Sequence, residues 1–368
     1  MMKKTMQIMT AILFCAFIGG FGVLHLVMPD RGFSPVENRN LAELPKFSFA
    51  ALKDGSYTAD IEEYLADQFP LRDGWIGLKS RYEYALGQRE LNNVYLCGDT
   101  LISKVTESDR ADKNLTYIGS LVDKTDIPVY LGMIPTAAEI WKDKLPDGAE
   151  NFDQLAYIEK AKDTGAIYVD IAGMLADHAD EAIFYRTDHH WTSLGAYYGY
   201  AALMEAIGAR PEALGAADVV SEEFYGTLYS TSGAHWIKPD TMERYVSSEG
   251  ISVTVNTGME VREQGLYVDS FLAEKDKYSS FMGGNNPLYI IKNPNAATNE
   301  KLLVVRDSFS DSLAPFLARQ YAEIHMIDLR YYRTSVASYG EMMGADAIFV
   351  CYSVDNFQED ADVIFLGQ

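Results

Sequence analysis

Short apolar segments that alternate with helix-patterned segments constrain the fold of this chain most strongly. The run VYLGMI, residues 129–134, lies between Pro128 and Pro135 and has the length and composition of a buried strand. Further apolar runs of this kind occupy residues 166–171, 301–305, 323–329 and 346–353. Segments with helical spacing lie between them, and this alternation predicts an α/β domain with a mostly parallel sheet.

Residues 215–300 interrupt this alternation. They are rich in glycine and asparagine, as in VSSEGISVTVNTG, and they show no clear helical pattern. We therefore expect a β-rich insertion of strands and loops within the domain. Before the alternation begins, apolar residues at helical spacing in 58–88 predict two helices that Pro70 separates.

The amino-terminal segment favours attachment to a membrane. Lys3 and Lys4 precede an apolar run from Met6 to Met28, and roughly 20 apolar residues suffice to cross a bilayer as one helix. Positive charge before the run and negative charge after it predict that the amino end stays inside. No clear cleavage site follows the run, so an uncleaved transmembrane helix is favoured over a cleaved signal. A buried amino-terminal helix is the remaining alternative.

These patterns predict three parts of the chain. Residues 1–30 form the membrane anchor or signal segment, and residues 31–57, rich in proline, asparagine and charge, form an extended tether. Residues 58–368 form the globular domain with its insertion. Cys97 and Cys351, outside the anchor, stand in apolar surroundings and are interpreted as buried thiols, although an exported protein could also pair them.

The charge balance disfavours two classes of partner. The chain has 31 basic and 53 acidic residues, which gives a net charge of −22. A surface this negative repels nucleic acid and anionic lipid, so we expect neither as a partner. Aromatic residues, 24 of them tyrosine, suit sugar rings because they combine an apolar face with a polar tip, although most are expected in the core.

The motif Asp188-His189-His190-Trp191 is the first that could carry chemistry, because the chain has only 6 histidines. Residues two apart in an extended segment point to the same side, so Asp188 could orient the His190 imidazole. His189 would alternate to the other face, and Trp191 would pack against the following helix. A metal site at these residues and plain structural hydrogen bonds are the alternatives. We expect neither a metal nor another cofactor.

A second motif, RDSFSDSLAPFL, lies where the strand 301–305 gives way to a helix. Ser308 on this turn would expose its hydroxyl beside the N–H groups of the first helical turn, which can stabilise an oxyanion. A serine nucleophile needs an adjacent base. His190, oriented by Asp188, could supply it and complete a Ser-His-Asp triad. The alternative is that Ser308 only caps the helix.

The chain resembles the DHHW protein family, which is similar to the alginate O-acetylation proteins with their SGNH-hydrolase-like domain. The resemblance runs from about residue 33 to the end and includes ENRNLAELPKFS, ADQFPLRD, YRTDHHWTSLGAYYGY, LLVVRDSFSDSLAPFL and IDLRYY. It implies a three-layer SGNH-hydrolase-like fold in which Ser308 is the nucleophile and Asp188 and His190 form the acid–base pair.

The same resemblance implies residues around the catalytic set. Arg330 corresponds to an arginine near the active site of the alginate proteins, and Arg330, Phe309 and Tyr331 are expected to bind substrate or the oxyanion. One position departs from the pattern, because Arg306 stands where SGNH hydrolases have a glycine before the Asp-Ser pair. The oxyanion-hole residues are not assigned.

The function implied by the resemblance is O-acetyl transfer to, or acetyl-ester hydrolysis of, a cell-envelope or secreted polysaccharide through an acetyl-Ser308 intermediate. A multispanning membrane O-acyltransferase would be the partner that supplies the acetyl group. The expected location is the cell membrane, with one span and an extracytoplasmic domain, or alternatively the secreted fraction. The alternative function is a non-catalytic polysaccharide-binding or assembly protein of an extracellular modification complex, which Arg306 favours.

Overall fold

The structure is a computed structural model that describes residues 2–368, with side chains from residue 4 onward, as two compact units. The first unit comprises the chain up to Gln88 together with Gly233–His235, and the second comprises Arg89–Ser232 and Trp236–Gln368. The boundaries predicted near residues 30 and 57 both fall inside the first unit, and the three predicted parts stay predictions.

The first unit is mainly helical. Its elements are α1 (Met2–Val27), β1 (Phe33–Ser34), β2 (Arg39–Asn40), α2 (Phe49–Asp54), α3 (Ser56–Asp67) and α4 (Arg72–Ala85). The last two helices are those predicted on either side of Pro70. The predicted tether contains the antiparallel β1–β2 pair and α2. Arg39 holds this segment to α3, because its guanidinium donates to the buried Asp67 carboxylate at 2.8 Å.

One helix in the described part of the chain is long and apolar enough to cross a membrane, and it runs from Lys4 to Val27. None of its apolar window is buried. A cleaved signal sequence has the same length and composition, so the helix agrees with a transmembrane anchor and with a signal segment alike.

The second unit begins with a small antiparallel sheet and continues as alternating helices and strands. The elements up to residue 206 are β3 (Glu90–Leu91), β4 (Val94–Cys97), β5 (Thr100–Ser103), α5 (Ala111–Val122), β6 (Val129–Ile134), α6 (Ala137–Ile140), α7 (Gln154–Ala161), β7 (Ile167–Tyr168), α8 (Ile171–Asp177) and α9 (Ser193–Ala206). The predicted strand at 129–134 coincides with β6. The run at 166–171 is a strand only at its centre, and α8 begins at its last residue.

The segment 215–300 is mostly strands and loops, with one short α-helix and two 3₁₀-helices, Asp269–Ala273 and Lys277–Ser280. Its elements are β8 (Asp218–Phe224), α10 (Thr227–Ser232), β9 (Asp240–Arg244), β10 (Ser252–Asn256), β11 (Val261–Gln264) and β12 (Leu288–Lys292). The expectation of no helix here is wrong for α10. Its sequence TLYSTS is rich in serine and threonine, which are weak helix formers, so the pattern gave no signal.

The rest of the unit restores the alternation. It contains β13 (Lys301–Arg306), α11 (Ser310–Gln320), β14 (Glu323–Ile327), α12 (Val336–Met343), β15 (Ala347–Ser353) and α13 (Val354–Glu359). The main sheet has eight strands in the order β11-β10-β12-β14-β13-β15-β6-β7. The last five are parallel, whereas β12, β10 and β11 join antiparallel. Strands of the 215–300 segment thus extend a parallel α/β sheet into a mixed one.

Helices cover both faces of this sheet. Leu302 and Val304 of β13 belong to one buried cluster, which includes residues of α9 and α11. Leu303 and Val305 belong to the other, which includes residues of α5 and α12. Successive strand residues point to opposite faces, so an uninterrupted apolar strand marks a sheet buried on both sides.

Candidate active site

The parallel strands β13 and β15 end in polar residues at one edge of the sheet. β13 ends at Arg306, which pairs in register with Cys351 of β15, and β15 ends two residues later at Ser353. In α/β sheets, ligands bind at this carboxyl edge. The turn that carries Ser308 follows β13 directly.

Asp307, rather than Ser308, secures the turn between β13 and α11. The helix begins at Ser310, and the Phe309 backbone N–H donates to Asp307 Oδ1 at 3.0 Å. Asp307 Oδ2 accepts from the Ser353 backbone N–H at 2.9 Å, the Ser353 hydroxyl at 2.8 Å and the Asn356 amide at 2.8 Å. The amino-terminal cap residue of α11 is Phe309, and no side-chain hydrogen bond caps this helix. The Ser308 hydroxyl is therefore left for other contacts.

Ser308, His190 and Asp188 form a continuous series of hydrogen bonds. His190 Nε2 is 2.8 Å from the Ser308 hydroxyl, and His190 Nδ1 is 2.6 Å from Asp188 Oδ1. The His190 backbone N–H also donates to Asp188 Oδ1, at 3.0 Å. His190 and Asp188 are buried, and Ser308 is half-buried. The arrangement can move a proton from the serine hydroxyl to the imidazole while the aspartate holds the ring.

The segment that carries Asp188 and His190 is a folded-back loop. Residues 186–190 form bends, while Phe184 and Trp191 make an antiparallel bridge around them. The extended conformation expected for this motif is therefore wrong. The loop turns back on itself, and both the His190 imidazole and the His190 backbone N–H therefore contact Asp188 Oδ1.

Asp188 is buried but well supplied with hydrogen bonds. Its Oδ2 accepts from the Thr227 backbone N–H at 2.8 Å and from the Thr227 hydroxyl at 3.1 Å. Burial alone would raise the pKa of Asp188, but the neighbouring His189 and His190, the hydrogen bond to His190 and the one from the Thr227 backbone N–H outweigh it and lower the pKa. Gly226 permits this approach, because a Cβ there would lie 2.2 Å from the Asp188 Cβ.

His189 does not point away from the site, contrary to the alternation expected from an extended segment. Its ring centroid lies 3.9 Å from that of His190, and its Nδ1 is 2.7 Å from the Thr227 hydroxyl. The bends at residues 186–190 remove the strand geometry that would have separated the two rings. His189 also lines a small cavity of about 20 Å³ with Phe309 and Asn356.

Two aromatic side chains, Tyr278 and Trp191, hold His190 and its loop in position. The Tyr278 ring stacks on the His190 imidazole with 3.8 Å between centroids. The Tyr278 hydroxyl donates to the Ser308 carbonyl at 3.0 Å. Trp191 is buried, and its indole N–H donates to the Phe309 carbonyl at 2.9 Å. The Trp191 ring also fills the space beside Gly199 of α9, which agrees with the packing role expected from sequence.

The three residues expected to bind substrate or oxyanion occupy different environments. Phe309 is buried, its ring is 4.9 Å from His190, and its N–H is already bonded to Asp307. Arg330 donates to Asp328 at 2.9 Å, and Tyr331 is 54% exposed. Among the described residues, no hydrogen bond, ion pair or ring contact joins Arg330 or Tyr331 to the Ser308–His190–Asp188 series.

Arg306, the departure from the SGNH pattern, is completely buried. Its guanidinium is 2.8 Å from Asp311 Oδ1 of α11 and lies over the Tyr289 ring at 5.2 Å. The side chain therefore packs inside the domain as part of an ion pair. It does not join the hydrogen-bonded series of Ser308.

The metal alternative rests on the same residues. Ligand atoms of Asp188, His189 and His190 lie within 4.8 Å of one another. Each histidine Nδ1 is already hydrogen-bonded, to Asp188 or to Thr227, and His190 Nε2 contacts Ser308. A metal ion would have to replace these bonds.

The cysteines Cys97 and Cys351 are free thiols; Cys351 is buried and Cys97 is half-buried.

Sequence patterns did not reveal Thr227, Tyr278 or the Asn356 contact to Asp307. Thr227 and Tyr278 lie in the aperiodic segment 215–300, in helices of six and four residues. The only available signal was for Asn356, which lies in α13, the helix that follows β15, where site residues of parallel sheets are common.

The fold and the site together define an α/β protein with a serine, a histidine and an aspartate in contact at the carboxyl edge of its sheet. The sequence profile of the family described as DHHW protein matches residues 88–327, which is more than half of the chain. The chain therefore belongs to the DHHW protein family. No curated protein sequence matches it.

Solved structures with similar folds include a DHHW family protein from Eubacterium siraeum. Its TM-score is 0.66 at 24% identity, and the match covers 75% of this chain and 95% of that one. Bacillus cereus PatB1 with a sulfonyl adduct is similar with a TM-score of 0.63 at 19% identity, over 74% of this chain and 97% of PatB1. At these identities the likeness concerns the fold, and it supports a mixed α/β domain with a large sheet.

Proposed function

We propose that this chain is a serine-dependent O-acetyltransferase or acetylesterase that acts on a cell-envelope or secreted polysaccharide. The observation that carries the proposal is the hydrogen-bonded series from Ser308 through His190 to Asp188, with distances of 2.8 Å and 2.6 Å. A serine becomes nucleophilic when an adjacent base accepts its proton. The resemblance of the DHHW family to alginate O-acetylation proteins supports acetyl as the transferred group.

In the first half-reaction, His190 Nε2 accepts the Ser308 proton while Ser308 Oγ bonds to the carbonyl carbon of an acetyl ester. The carbonyl electron pair moves to oxygen, and its return breaks the bond to the donor oxygen, which leaves with the proton from His190. Asp188 accepts from His190 Nδ1–H, which keeps Nε2 free and stabilises the imidazolium. The product is acetyl-Ser308 and the free donor alcohol.

In the second half-reaction, a sugar hydroxyl or water gives its proton to His190 and attacks the acetyl carbon, and Ser308 leaves with that proton. A sugar acceptor makes the protein a transferase, and water makes it an esterase. We assign oxyanion stabilisation to the Ser308 backbone N–H, which has no acceptor in residues 2–368, and to the second amide hydrogen of Asn356. Arg330 and Tyr331 remain proposed substrate contacts.

A sulfonyl fluoride is a suitable probe, because such reagents sulfonylate activated serines and Bacillus cereus PatB1 is known with a sulfonyl adduct. After incubation with phenylmethylsulfonyl fluoride or a chromogenic acetate ester, mass spectrometry should find one modified peptide, at Ser308. Ser308→Ala and His190→Ala should lose the adduct and the ester turnover. Ser310→Ala, two residues away in a buried position, is the matched control and should keep both. A folded wild-type chain that gives neither adduct nor turnover would favour the non-catalytic polysaccharide-binding alternative.

We also propose that α1 holds the chain in the membrane with the second unit outside the cytoplasm, and that a multispanning membrane O-acyltransferase provides the acetyl group. The apolar, unburied helix from Lys4 to Val27 supports the anchor. Co-purification of the two proteins from membranes tests the partnership, and a polysaccharide that stays unacetylated when either is deleted tests its role.

A further inference from the structure

His189 lies outside the Ser308–His190–Asp188 series but on the same side of the site. Its ring centroid is 3.9 Å from His190 and 5.9 Å from Phe309. The His189 side chain is 35% exposed, whereas the His190 side chain is 7% exposed. His189 therefore offers a ring edge that a bound molecule can reach beside the catalytic base.

The hydrogen bonds of Thr227 determine which nitrogen of His189 is free. The Thr227 hydroxyl oxygen is 3.1 Å from Asp188 Oδ2 and 2.7 Å from His189 Nδ1. The lowered pKa of Asp188 keeps it ionised, and a hydroxyl donates more strongly to a carboxylate than to a neutral nitrogen. The Thr227 proton thus goes to Asp188, and His189 Nδ1–H donates to the Thr227 oxygen.

This tautomer leaves a lone pair on His189 Nε2. The two ring nitrogens lie on different edges, so Nε2 faces away from Thr227, and within the described chain it has no hydrogen-bond partner. Burial, and then the neighbouring His190, lowers the pKa of His189 to about 4, so the ring is neutral at pH 7. A neutral imidazole with this tautomer accepts a hydrogen bond at Nε2.

We infer that His189 Nε2 accepts a hydrogen bond from the saccharide acceptor and positions it for attack on acetyl-Ser308. The inference rests on the proposed function. It restricts the acetyl acceptor to a saccharide with two neighbouring hydroxyl groups, a vicinal diol. The two ring centroids lie 3.9 Å apart, and the Nδ1 atoms of His189 and His190 lie 3.7 Å and 2.6 Å from Asp188 Oδ1, so both Nε2 atoms lie on the ring edges away from Asp188. One hydroxyl would then donate to His190 Nε2 while its neighbour on the same sugar ring donates to His189 Nε2. His189 is thus a specificity-determining residue for transfer.

Two substitutions test the roles of the two ring nitrogens of His189 separately. His189→Asn keeps a polar atom near the position of Nδ1, where Thr227 binds, and removes the acceptor at Nε2. His189→Gln keeps an acceptor near Nε2 and loses the Nδ1 contact. The full-length protein is acetylated with a chromogenic acetate ester, and transfer to a vicinal-diol saccharide is measured against hydrolysis, together with the KM of the saccharide.

We expect His189→Asn to lower the ratio of transfer to the saccharide over Ser308 acetylation about 3- to 10-fold, the effect of one lost hydrogen bond. His189→Gln should recover part of the transfer. Methanol, an acceptor with a single hydroxyl, serves as the control, and its acetylation should respond little to either variant.

Several outcomes would overturn the inference. Equal losses of acetylation and transfer in both variants, with a lower melting temperature, would mean that His189 only holds the loop. A wild-type chain that hydrolyses the ester but never transfers acetyl to the diol would also contradict it. If Ser308→Ala abolishes turnover while His189→Asn keeps the wild-type ratio of transfer to hydrolysis, the role of His189 fails and the proposed function stands. If Ser308→Ala retains turnover, the proposed function itself fails.

Discussion

The ring of Tyr278 lies parallel to the imidazole of His190, with 3.8 Å between centroids and 8° between planes. The Tyr278 hydroxyl donates to the Ser308 carbonyl at 3.0 Å and lies 3.1 Å from the Ser312 hydroxyl. One buried side chain thus contacts the proposed base through its face and the proposed nucleophile's turn through its hydroxyl. Tyr278 fixes the relative position of both groups.

Removing the two contacts of Tyr278 separately tests this role. Tyr278→Phe keeps the stacked ring, so we expect it to keep most of kcat. It should destabilise the protein by about 1–3 kcal/mol, because buried polar partners lose a hydrogen bond. Tyr278→Leu also removes the stacking and should lower kcat further with little change in KM. Denaturant unfolding and ester kinetics measure both, and equal kcat values in the two variants would contradict a positioning role for the ring.

Substitution of Ser308 should affect activity, whereas substitution of Asp307 should affect stability. Ser308→Ala should abolish ester turnover with little loss of stability, because Asp307 holds the turn. Asp307→Ala should unfold more easily, since it removes one buried carboxylate that accepts four hydrogen bonds. Urea unfolding compares the two variants. A Ser308→Ala protein that is destabilised by about 1 kcal/mol yet fully active would mean that Ser308 is a helix cap.

The alternation of apolar and helical segments predicted the central part of this fold well. The run at 129–134 matches β6, and the strand at 301–305 differs from β13 by one residue at its end. These segments succeed because a parallel sheet buried on both faces needs uninterrupted apolar strands. The contact between Asp188 and His190 was also predicted, although from the wrong local geometry.

The remaining parts of the site could not be predicted, because tertiary folding creates them. Thr227 and Tyr278 reach Asp188 and His190 from a segment without periodicity, and no local pattern links residues so far apart in sequence. The orientation of His189 depends on bends at residues 186–190 that replaced the expected extended segment. The burial of Arg306 depends on its ion-pair partner Asp311 on the following helix, and this pairing could not be predicted from sequence.

Loss of one partner of the buried pair Arg306 and Asp311 should lower the unfolding free energy more than loss of both partners. Burial raises the pKa of Asp311 to about 7 even though Arg306 opposes this shift. Arg306→Leu leaves the carboxyl buried without its cation and should cost about 3–5 kcal/mol of unfolding free energy. The double variant Arg306→Leu/Asp311→Leu removes both charges and should recover part of that loss. Chemical denaturation gives the double-mutant cycle, and additive losses would contradict coupling of the pair.

The stability of the protein should depend on pH through Asp355, which lines the cavity beside His189. Burial, with Glu359 and Asp307 adding to it, raises the pKa of Asp355 to about 6, whereas an unfolded aspartate has a pKa of about 3.9. Between these values the folded state keeps a proton that the unfolded state has lost. The contribution of Asp355 to stability is therefore lost as pH rises from about 4 to about 6.

Asp355→Asn isolates this effect, because the amide does not titrate in that range. The unfolding free energy of the wild type minus that of Asp355→Asn should fall between pH 4 and pH 6 and stay constant above pH 7. A difference that rises with pH, or one that is flat throughout, would contradict the raised pKa.

Helix α1 should retain the mature protein in the membrane. Its span from Lys4 to Val27 inserts through apolar contacts, which salt does not screen, so the full-length chain should sediment with membranes in high salt and require detergent for release. Replacing Phe14 and Ile18 with arginine should weaken insertion, because each arginine at the centre of a span costs about 2.5–3.5 kcal/mol. Lys3→Gln, outside the span, is the control for a general change of sequence. Wild-type protein found free in the culture medium, with an amino terminus near Val23, would show that the segment is a cleaved signal.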